Sequence, residues 1–512
     1  MTEEVWDAIV IGSGLGGLTA GAAFAKRGKR VLVLERLAGF GGAATVYRHG
    51  ALTMEASLHE TDGDTLFGAQ GPFSRLGLAE RLEPLATEIF YDVRGGGLPE
   101  AVQVPHGLDA ARDAVCRALP ESRRNLTAYF KELKRLYRSF ADLEALGARG
   151  PSVLAGLILS GRIFEVLLEA RRTLGRRFNG LFGRDELAKM VLGAPLAYFD
   201  DDPAKLSFLA YAGVWSRYVE SGSYYLKGGS AALTRALLAT LEAAGGVARG
   251  GCDVRGILTA ASGRVAGVAY ADAEGVSREA RAPVVFGNAA PAHLADLLPD
   301  EAGAALRKSV ARYEPSISLF TLSLGFDRPG RDFGMTAYST FVFPDEMKRF
   351  ADYPKQAAAF AAAPAGALPP YALVDFGRLD SGLRRAGEPY LVSITGVDRL
   401  AWWQGLNEAE EKARREAWCA ALIADMDRRF PGSAAAVVQA ELATARTMKS
   451  YLGTPQGEVY GFRPTPARLF SRPPSAATPV KGLWLSSAYT VSGGYAGAMQ
   501  GGLMAADAAL RS

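Results

Sequence analysis

The first 35 residues alternate between apolar runs and a glycine cluster in a way that predicts a strand, a helix and a second strand. The apolar run at residues 5–11 is typical of a short parallel strand buried on both faces. A glycine-rich turn follows at residues 12–17, and small residues at 18–26 predict a closely packed helix. Gly28 ends that helix, and the run 29–35 predicts the second strand. The order predicts a βαβ unit whose glycines lie at the first turn.

Each part of this G-x-G-x-x-G turn has a physical task at a dinucleotide site. Gly12 permits a tight turn, Gly14 lets a pyrophosphate approach the backbone, and Gly17 lets the helix pack closely on the strand. The helix N-terminus offers unpaired N–H groups and the positive end of its dipole to phosphates. Glu35 ends the second strand, where it is placed to accept hydrogen bonds from ribose hydroxyls and to disfavour the 2′-phosphate of NADP.

The motif by itself also fits a glycine-rich turn of another α/β protein. Strand, glycines, helix, second strand and terminal acid all follow in the required order here, which favours dinucleotide binding. The predicted phosphate-binding residues are Gly12, Ser13, Gly14, Leu15, Gly16 and Gly17.

Similar alternations return later in the chain. Residues 231–244 predict a helix, 256–273 a β-hairpin, and 284–291 a strand that runs into a loop. Residues 482–488 predict a strand, and the glycine-rich stretch from 493 opens a last helix. The alternating run 313–326 predicts a sheet strand. The charged stretch 407–430 predicts a long helix with a solvated face.

Composition narrows the functional classes. The 59 glycines among 512 residues suit many close backbone approaches, as a large cofactor requires. A net charge of +4 gives no reason to expect nucleic acid as a partner. The three cysteines and four histidines are too widely spaced to indicate disulfides or a metal site. We expect no transmembrane helix and a cytoplasmic protein.

The insert 150–184 has an unusual pattern. Residues 151–168 are apolar with few charges, and five arginines follow between 171 and 184, with Phe178, Leu181 and Phe182 among them. Apolar positions at helical spacing beside a basic cluster favour an interfacial helix on an anionic membrane, which would place the protein peripherally on the inner face. The alternative is a core helix with a solvated basic end.

Several motifs resemble those of the amine-oxidase and phytoene-desaturase superfamily of flavoproteins. They are the Glu35-Arg36 pair, the glycines at 41 and 42, Thr45, and the run 447–462, which resembles the branch of carotenoid desaturases, carotenoid cis–trans isomerases and retinol saturase. The resemblance implies FAD as the cofactor. The cofactor contacts that it implies beyond the first turn are Glu35, Arg36, Gly41, Gly42, Ala43, Val254, Asn288, Ala488, Gly494, Tyr495 and Ala496. Ser486-Ser487 departs from the usual Ala-Gly of the superfamily.

The fold class that follows is α/β, with a discontinuous Rossmann-like FAD-binding domain and an α+β substrate domain that carries the helical, membrane-facing insert. The resemblance divides the chain into an FAD-binding domain at 1–100, 221–295 and 455–512 and a substrate domain at 101–220 and 296–454.

The expected activity is desaturation, saturation or isomerisation of carbon–carbon double bonds in a hydrophobic polyene or isoprenoid lipid. No second glycine motif for a nicotinamide nucleotide occurs, so a quinone or oxygen is the expected electron acceptor when the substrate reduces the flavin. Two alternatives stay open. One is a flavin amine oxidase, with Tyr495 as half of an aromatic cage. The other is a non-catalytic prenyl- or lipid-binding module of the same fold, against which the intact glycines and Glu35 argue.

His59 and Glu60 are the acid–base candidates. They lie in a polar cluster at residues 54–62, soon after the predicted flavin loop, where a histidine beside carboxylates could move a proton to or from a carbon. The alternative is that both residues cap turns or brace the junction of the two domains. Tyr489 and Tyr495 either stack beside the flavin or pack the wall of the cavity.

Overall fold

The computed structural model describes residues 4–57, 59–147, 166, 168–471 and 475–512. Within these residues, five strands form a parallel sheet, here called the nucleotide sheet, at whose edge the glycine-rich first turn lies. Its strands in spatial order are Val247–Arg249, Val31–Leu34, Ala8–Ile11, Val285–Gly287 and Leu483–Leu485. The strand Ala8–Ile11 is wholly buried because both faces of the sheet are covered.

Three helices cover one face of the nucleotide sheet, and a second, mostly antiparallel layer covers the other. The helices are Leu15–Ala25, Gly229–Ala243 and Gly494–Arg511. The second layer has, among the described residues, the strand order Glu4–Val5, Ser277–Arg281, Val265–Ala271 and Asp253–Thr259.

The predicted βαβ unit is confirmed with shifted bounds. The predicted strand 5–11 is two strands, since Val5 pairs with Arg281 in the second layer and only Ala8–Ile11 enters the nucleotide sheet. The helix begins at Leu15 rather than at residue 18, because Gly16 and Gly17 already belong to its first turn. The second strand is Val31–Leu34, one residue short of Glu35.

A larger mixed sheet, here called the roof sheet, lies across the site from the nucleotide sheet. In the part of the chain that the structure describes, its strands in order are Val437–Ala443, Ser318–Phe326, Tyr390–Asp398, Tyr371–Asp375, Ser339–Phe343, Tyr91–Gly95 and Val102–Val104. The helix Glu408–Arg429 packs Trp418, Leu422 and Met426 into its core, so the predicted charged helix is solvated on one face only.

The strand Tyr91–Gly95 pairs in parallel with Ser339–Phe343, so it belongs to the roof sheet although the sequence places residues 1–100 in the FAD-binding domain. The division into two domains remains a prediction. Two small sheets connect the parts. One has the order Thr61–Asp62, Ser223–Leu226 and Pro84–Ala86, and the other is the hairpin Val46–His49 and Leu52–Glu55.

Helices build the remaining wall of the site. The longer ones are Leu108–Ala118, Arg123–Gly147, Leu174–Phe182, Glu186–Gly193 and Phe208–Ser221. Arg123–Gly147 and Phe208–Ser221 line the site directly, and the other three pack behind them. The helix Ala445–Leu452 also lines the site, through Thr447, Met448 and Tyr451, whereas Asp300–Val310 lies away from it. No helix of the described residues is long and apolar enough to cross a membrane.

The predicted interfacial insert is described only in its second part, and residues 150–165 and 167 lie outside the described residues. The helix Leu174–Phe182 buries Phe178 and Phe182 against Tyr129 in the main core. Arg177 forms an ion pair with the buried Glu132 at 2.6 Å. The apolar positions of this helix are therefore core positions, as the alternative interpretation held.

Candidate functional site

A single cavity of about 2030 Å³ runs between the nucleotide sheet and the roof sheet. Ligand pockets for one small molecule usually have about 300–1,000 Å³. The cavity therefore has room for a long cofactor and a second large molecule. One end is lined by the glycines of the first turn, and the other end by aromatic side chains.

The glycine end is crowded in the way that a diphosphate site requires. Gly12 has φ +90°, a backbone conformation that residues other than glycine rarely adopt. A Cβ atom at Gly17 would lie 2.3 Å from the carbonyl oxygen of Gly12, so this glycine allows the helix to pack on the strand. A Cβ atom at Gly14 would lie 2.6 Å from Nδ2 of Asn288. A residue with a side chain at position 14 would therefore collide with Asn288, and only glycine leaves this stretch of backbone exposed to the cavity.

Two helix N-termini meet at this end, which tests the fit of a diphosphate. The helices that begin at Leu15 and Gly494 have glycines as N-caps and no side-chain cap, so their first N–H groups remain available for a ligand. The Ser487 hydroxyl lines the cavity and is buried without a hydrogen-bond partner among the described residues. These free donors and the positive helix ends suit a phosphate-bearing cofactor.

Glu35 is held by the turn that it faces. Its carboxylate accepts hydrogen bonds from the backbone N–H of Ser13 at 2.8 Å and from the Ser13 hydroxyl at 2.7 Å. Ser13 Oγ in turn accepts from the N–H of Gly41 at 3.0 Å. Ser13 thus joins the first turn, the acid and the second glycine loop, and it does not itself line the cavity.

Hydroxyl groups from three elements fix the loop that follows Gly41. Ser57 donates to the carbonyl of Ala43 at 2.6 Å, and Thr234 donates to that of Ala44 at 2.7 Å. Ser230 donates to the carbonyl of Thr45 at 3.0 Å. Three successive carbonyls are therefore held from outside the loop, which fixes the face that the loop turns toward the cavity.

Glu55 anchors this arrangement and was not singled out from the sequence. Its buried carboxylate accepts from the hydroxyl and N–H of Ser230 at 2.5 and 2.9 Å and from the Tyr225 hydroxyl at 3.1 Å. Its signal in the sequence was weak, because it is one of three carboxylates in the polar cluster 54–62. Only the fold shows which of these faces the flavin loop.

Most of the predicted cofactor residues meet at this cavity, although their role stays a prediction. Those that line it are Gly12, Gly14, Leu15, Gly16, Glu35, Arg36, Gly41, Gly42, Ala43, Val254, Asn288, Ala488, Gly494, Tyr495 and Ala496. Ser13 and Gly17 lie behind the lining, where the first makes hydrogen bonds and the second permits close packing.

Tyr489 and Tyr495 both reach the cavity wall with their hydroxyls engaged. The Tyr495 hydroxyl is 2.7 Å from Oγ of Ser57, and the Tyr489 hydroxyl donates to Glu458 at 2.5 Å. The ring of Tyr489 packs edge-on against Phe462. These contacts make both tyrosines shape the wall between the glycine end and the aromatic end.

His59 and Glu60 lie at the aromatic end, where their backbone is pinned. The hydroxyl of Tyr338 donates to the carbonyl of His59 at 2.7 Å, and that of Tyr218 donates to the carbonyl of Glu60 at 3.1 Å. Nδ1 of His59 is 2.8 Å from the hydroxyl of Tyr198. Burial lowers the pKa of His59 to about 4, so its imidazole is neutral at physiological pH.

The Glu60 carboxyl is poised near neutrality. Burial raises its pKa from 4.5 to about 7, while hydrogen bonds to the hydroxyls of Ser223 and Ser339 oppose that rise. Oε1 accepts from Ser339 at 3.4 Å, and the buried Oε2 has no hydrogen-bond partner among the described residues. A carboxyl with this pKa can both hold and release a proton near pH 7.

Aromatic side chains form most of the wall around these two residues. They include Phe90, Tyr198, Phe199, Trp215, Tyr218, Phe341 and Tyr460. An aromatic wall of this kind suits a long apolar guest.

Comparison with known proteins supports FAD as the cofactor. Residues 7–66 match the family model described as FAD binding domain, which confirms FAD as the cofactor predicted for the glycine end. The chain is 23% identical over 536 residues to an all-trans-retinol 13,14-reductase from Macaca fascicularis, with 99% of this chain and 86% of the relative covered. It is 28% identical over 297 residues to a phytoene desaturase (neurosporene-forming) from Cereibacter sphaeroides, with 56% and 53% covered.

Among solved structures, an oxidoreductase from Methanosarcina mazei has the same fold. It superposes with a TM-score of 0.61 over 99% of this chain and 100% of that chain, at 17% identity. At this identity the likeness supports the fold alone.

Proposed function

We propose, from the premise that this chain is a carotenoid desaturase-like flavoprotein, that it is an FAD-dependent oxidoreductase acting on carbon–carbon double bonds of a hydrophobic polyene. The observation that carries the proposal is the one continuous cavity. It connects a glycine-lined diphosphate end with an aromatic-lined chamber, and it is large enough for both molecules.

The residues of the two ends have different tasks. The turn around Gly14 and the N-terminus at Gly494 bind the diphosphate of FAD, and Glu35 binds its ribose hydroxyls. When bound, the isoalloxazine supplies hydride transfer to or from carbon. The loop 41–45 fixes the position of the ring, because hydroxyls of Ser57, Ser230 and Thr234 hold its carbonyls.

The aromatic chamber holds the polyene. Saturation of a double bond adds one hydride and one proton, and desaturation removes the same pair. Glu60 is the group that gives or takes the proton, since its pKa of about 7 lets it do either near neutral pH. His59 stays neutral and, with Tyr198, keeps the adjoining wall free of charge.

Membrane attachment belongs to this proposal as the route by which an insoluble substrate arrives. Among the described residues of the insert, Arg171, Arg172, Arg176 and Arg184 are exposed, and so is the apolar Leu168. Each arginine near an anionic surface contributes about 1 kcal/mol. Sedimentation with anionic and with neutral vesicles tests this attachment. We expect the protein to sediment with the anionic vesicles, and a protein that sediments with neither kind would remove attachment from the proposal.

The direction of the reaction is tested with a purified, FAD-loaded protein under anaerobic conditions. All-trans-retinol and phytoene are offered to the oxidised protein and to the dithionite-reduced protein. Loss of two hydrogens with bleaching of the flavin shows desaturation, and gain of two hydrogens with reoxidation shows saturation. A change of retention time at unchanged mass shows isomerisation. Reoxidation with oxygen and with a soluble quinone then identifies the acceptor.

Two results would contradict the proposal. Peroxide production from simple amines, with both polyenes unchanged, would indicate an amine oxidase. A colourless protein that binds a prenyl lipid but takes up no FAD would indicate a non-catalytic binding module. Glu60→Gln is the matched variant, since it should keep FAD and polyene binding but lose most of the turnover, by about 100-fold or more.

A further inference from the structure

A buried carboxyl group lies at the boundary between the two ends of the cavity. Glu458 lines the cavity, and only 3% of its surface is exposed. Its Oε1 accepts a hydrogen bond from the Tyr489 hydroxyl at 2.5 Å, and its Oε2 accepts from the backbone N–H of Gln456 at 2.8 Å. Since Tyr489 forms the wall between the glycine end and the aromatic end, Glu458 lies at the same point along the cavity.

The Glu458 carboxylate has unused capacity to accept hydrogen bonds. Within the described residues it forms no ion pair, and its partners are the two donors named above. A carboxylate offers about four lone-pair positions, so these two bonds leave about half of them open. A buried charge is costly unless hydrogen bonds compensate it. The open positions therefore favour a ligand that carries hydrogen-bond donors.

The hydroxyl of Thr454 belongs to the same turn. The N–H of Gly457 donates to the carbonyl of Thr454 at 3.2 Å, which closes the turn just before Glu458. Thr454 also lines the cavity with 8% of its surface exposed, and its hydroxyl has no hydrogen-bond partner in the described part of the chain. Because a hydroxyl both donates and accepts, the turn offers a ligand a donor beside a strong acceptor.

The segment 458–461 lies against the element that carries the second helix N-terminus. A Cβ atom at Gly461 would lie 2.7 Å from the carbonyl oxygen of Ala488. A Cβ atom at Gly493, the N-cap of the last helix, would lie 2.4 Å from Cβ of Tyr460. The same Tyr460 is part of the aromatic wall. The segment therefore touches the glycine end on one side and the aromatic end on the other.

Contacts outside the turn fix the position of the carboxylate. The N–H of Val459 donates to the carbonyl of Ile317 at 3.1 Å, which attaches the turn to the start of the roof-sheet strand Ser318–Phe326. Burial and the neighbouring Glu458 carboxylate raise the pKa of Tyr489, so its phenol keeps the proton that it donates. Glu458 is thus held in place by the protein itself.

The chemistry of FAD changes along its length, and only its middle part suits this position. The diphosphate is anionic and the isoalloxazine is a flat aromatic ring, whereas the ribityl chain that joins them carries hydroxyl groups. A carboxylate without a cation repels a phosphate but accepts strong hydrogen bonds from hydroxyls. With the diphosphate at the glycine end and the ring directed to the aromatic end, the ribityl chain crosses the boundary at which Glu458 lies.

We propose that Glu458 and Thr454 bind the ribityl hydroxyls of FAD. Glu458 accepts hydrogen bonds from them, and Thr454 both donates and accepts. The two residues thereby fix the part of the cofactor that connects the diphosphate to the ring, and so determine how far the ring reaches into the chamber. This binding is independent of the substrate and does not rest on the proposed polyene activity.

Titration of the full-length apoprotein tests the proposal with two ligands. One is FAD, and the other is an analogue in which a pentyl chain without hydroxyls replaces the ribityl chain. Flavin fluorescence measures both dissociation constants. The wild type should prefer FAD by about 100-fold, because the analogue cannot donate hydrogen bonds to a charged group. Glu458→Ala should reduce this preference by at least about tenfold, and Thr454→Val by about threefold.

ADP and a second glutamate provide the controls. ADP has the adenosine and diphosphate but no ribityl chain, so its affinity, measured by competition, should change by less than about twofold in either variant. Glu441 also lines the cavity but forms an ion pair with Arg415 at 3.6 Å. Glu441→Ala should therefore keep the preference within about twofold. If Glu458→Ala does not fold, Glu458→Gln keeps the shape of the side chain and should still lose about fivefold of the preference.

Two results would overturn the proposal. Equal weakening of FAD and of the analogue in Glu458→Ala would make Glu458 a structural brace for Tyr489. Unchanged FAD affinity with weaker binding of all-trans-retinol would mean that Glu458 binds the hydroxyl of a substrate. A clear wild-type preference for FAD in a protein that converts no polyene would keep this inference and reject the proposed function. Polyene conversion without any such preference would do the reverse.

Discussion

The environment of Glu60 predicts a specific dependence of stability on pH. Burial raises its pKa from 4.5 to about 7. The folded protein therefore holds this proton more tightly than the unfolded chain does, so the contribution of Glu60 is most favourable at low pH. Stability falls as pH rises from about 4.5 to about 7 and changes no further above that. The difference between the two pKa values corresponds to about 3 kcal/mol, since one pKa unit is about 1.4 kcal/mol.

The substitution Glu60→Gln should remove this dependence, because the amide has nearly the same shape and no charge. At pH 8 the variant should be more stable than the wild type by up to about 3 kcal/mol, and at pH 5 by less than about 1 kcal/mol. Urea denaturation of the FAD-loaded proteins at several pH values measures the difference. Glu88→Gln, at an exposed carboxylate, is the matched control and should change stability by less than about 0.5 kcal/mol.

The result that would refute this reasoning is a difference between Glu60→Gln and the wild type that stays constant from pH 5 to pH 8. The carboxyl would then titrate as in water, and Glu60 would be unsuited to hold a proton at neutral pH. A difference of the opposite sign, with the variant less stable at pH 8, would mean that the ionised carboxylate is stabilised by a partner in the cavity.

Three further substitutions test other parts of the structure. Gly14→Val should abolish FAD binding, measured by retained flavin absorbance, because its side chain would fill the space beside Asn288, whereas Gly180→Ala, at an exposed helix position with open space around it and away from the cavity, should bind normally. Phe178→Ala should cost about 3–5 kcal/mol of unfolding free energy, because the side chain is fully buried in the main core. Glu55→Gln should weaken FAD binding by about tenfold, measured by titration of the apoprotein, because the charge-assisted hydrogen bonds that anchor Ser230 become ordinary ones. Full flavin content in Gly14→Val, a small loss in Phe178→Ala or unchanged affinity in Glu55→Gln would each contradict the corresponding contact.

Local sequence was sufficient for the nucleotide-binding turn. Gly12 and Gly17 are required by the backbone conformation and by contacts within the first 20 residues, so their role could be inferred from spacing alone. Errors were confined to ends of elements, as for Val5, whose partner Arg281 lies far along the chain. The second part of the insert was harder to interpret. Phe178 has the same sequence pattern whether it faces lipid or a core, and only the packing of distant side chains such as Tyr129, Tyr211 and Phe350 makes it a core residue.

The sequence by itself indicated the class of cofactor through its glycine motifs, and it indicated an oily substrate through the family resemblance and the apolar insert. Only the tertiary structure decided what His59 and Glu60 can do. Their pKa values depend on burial by side chains that are 139 and 279 residues away in the chain, Tyr198 and Ser339. Desolvation is a property of the assembled cavity, so no local pattern in the chain could have supplied it.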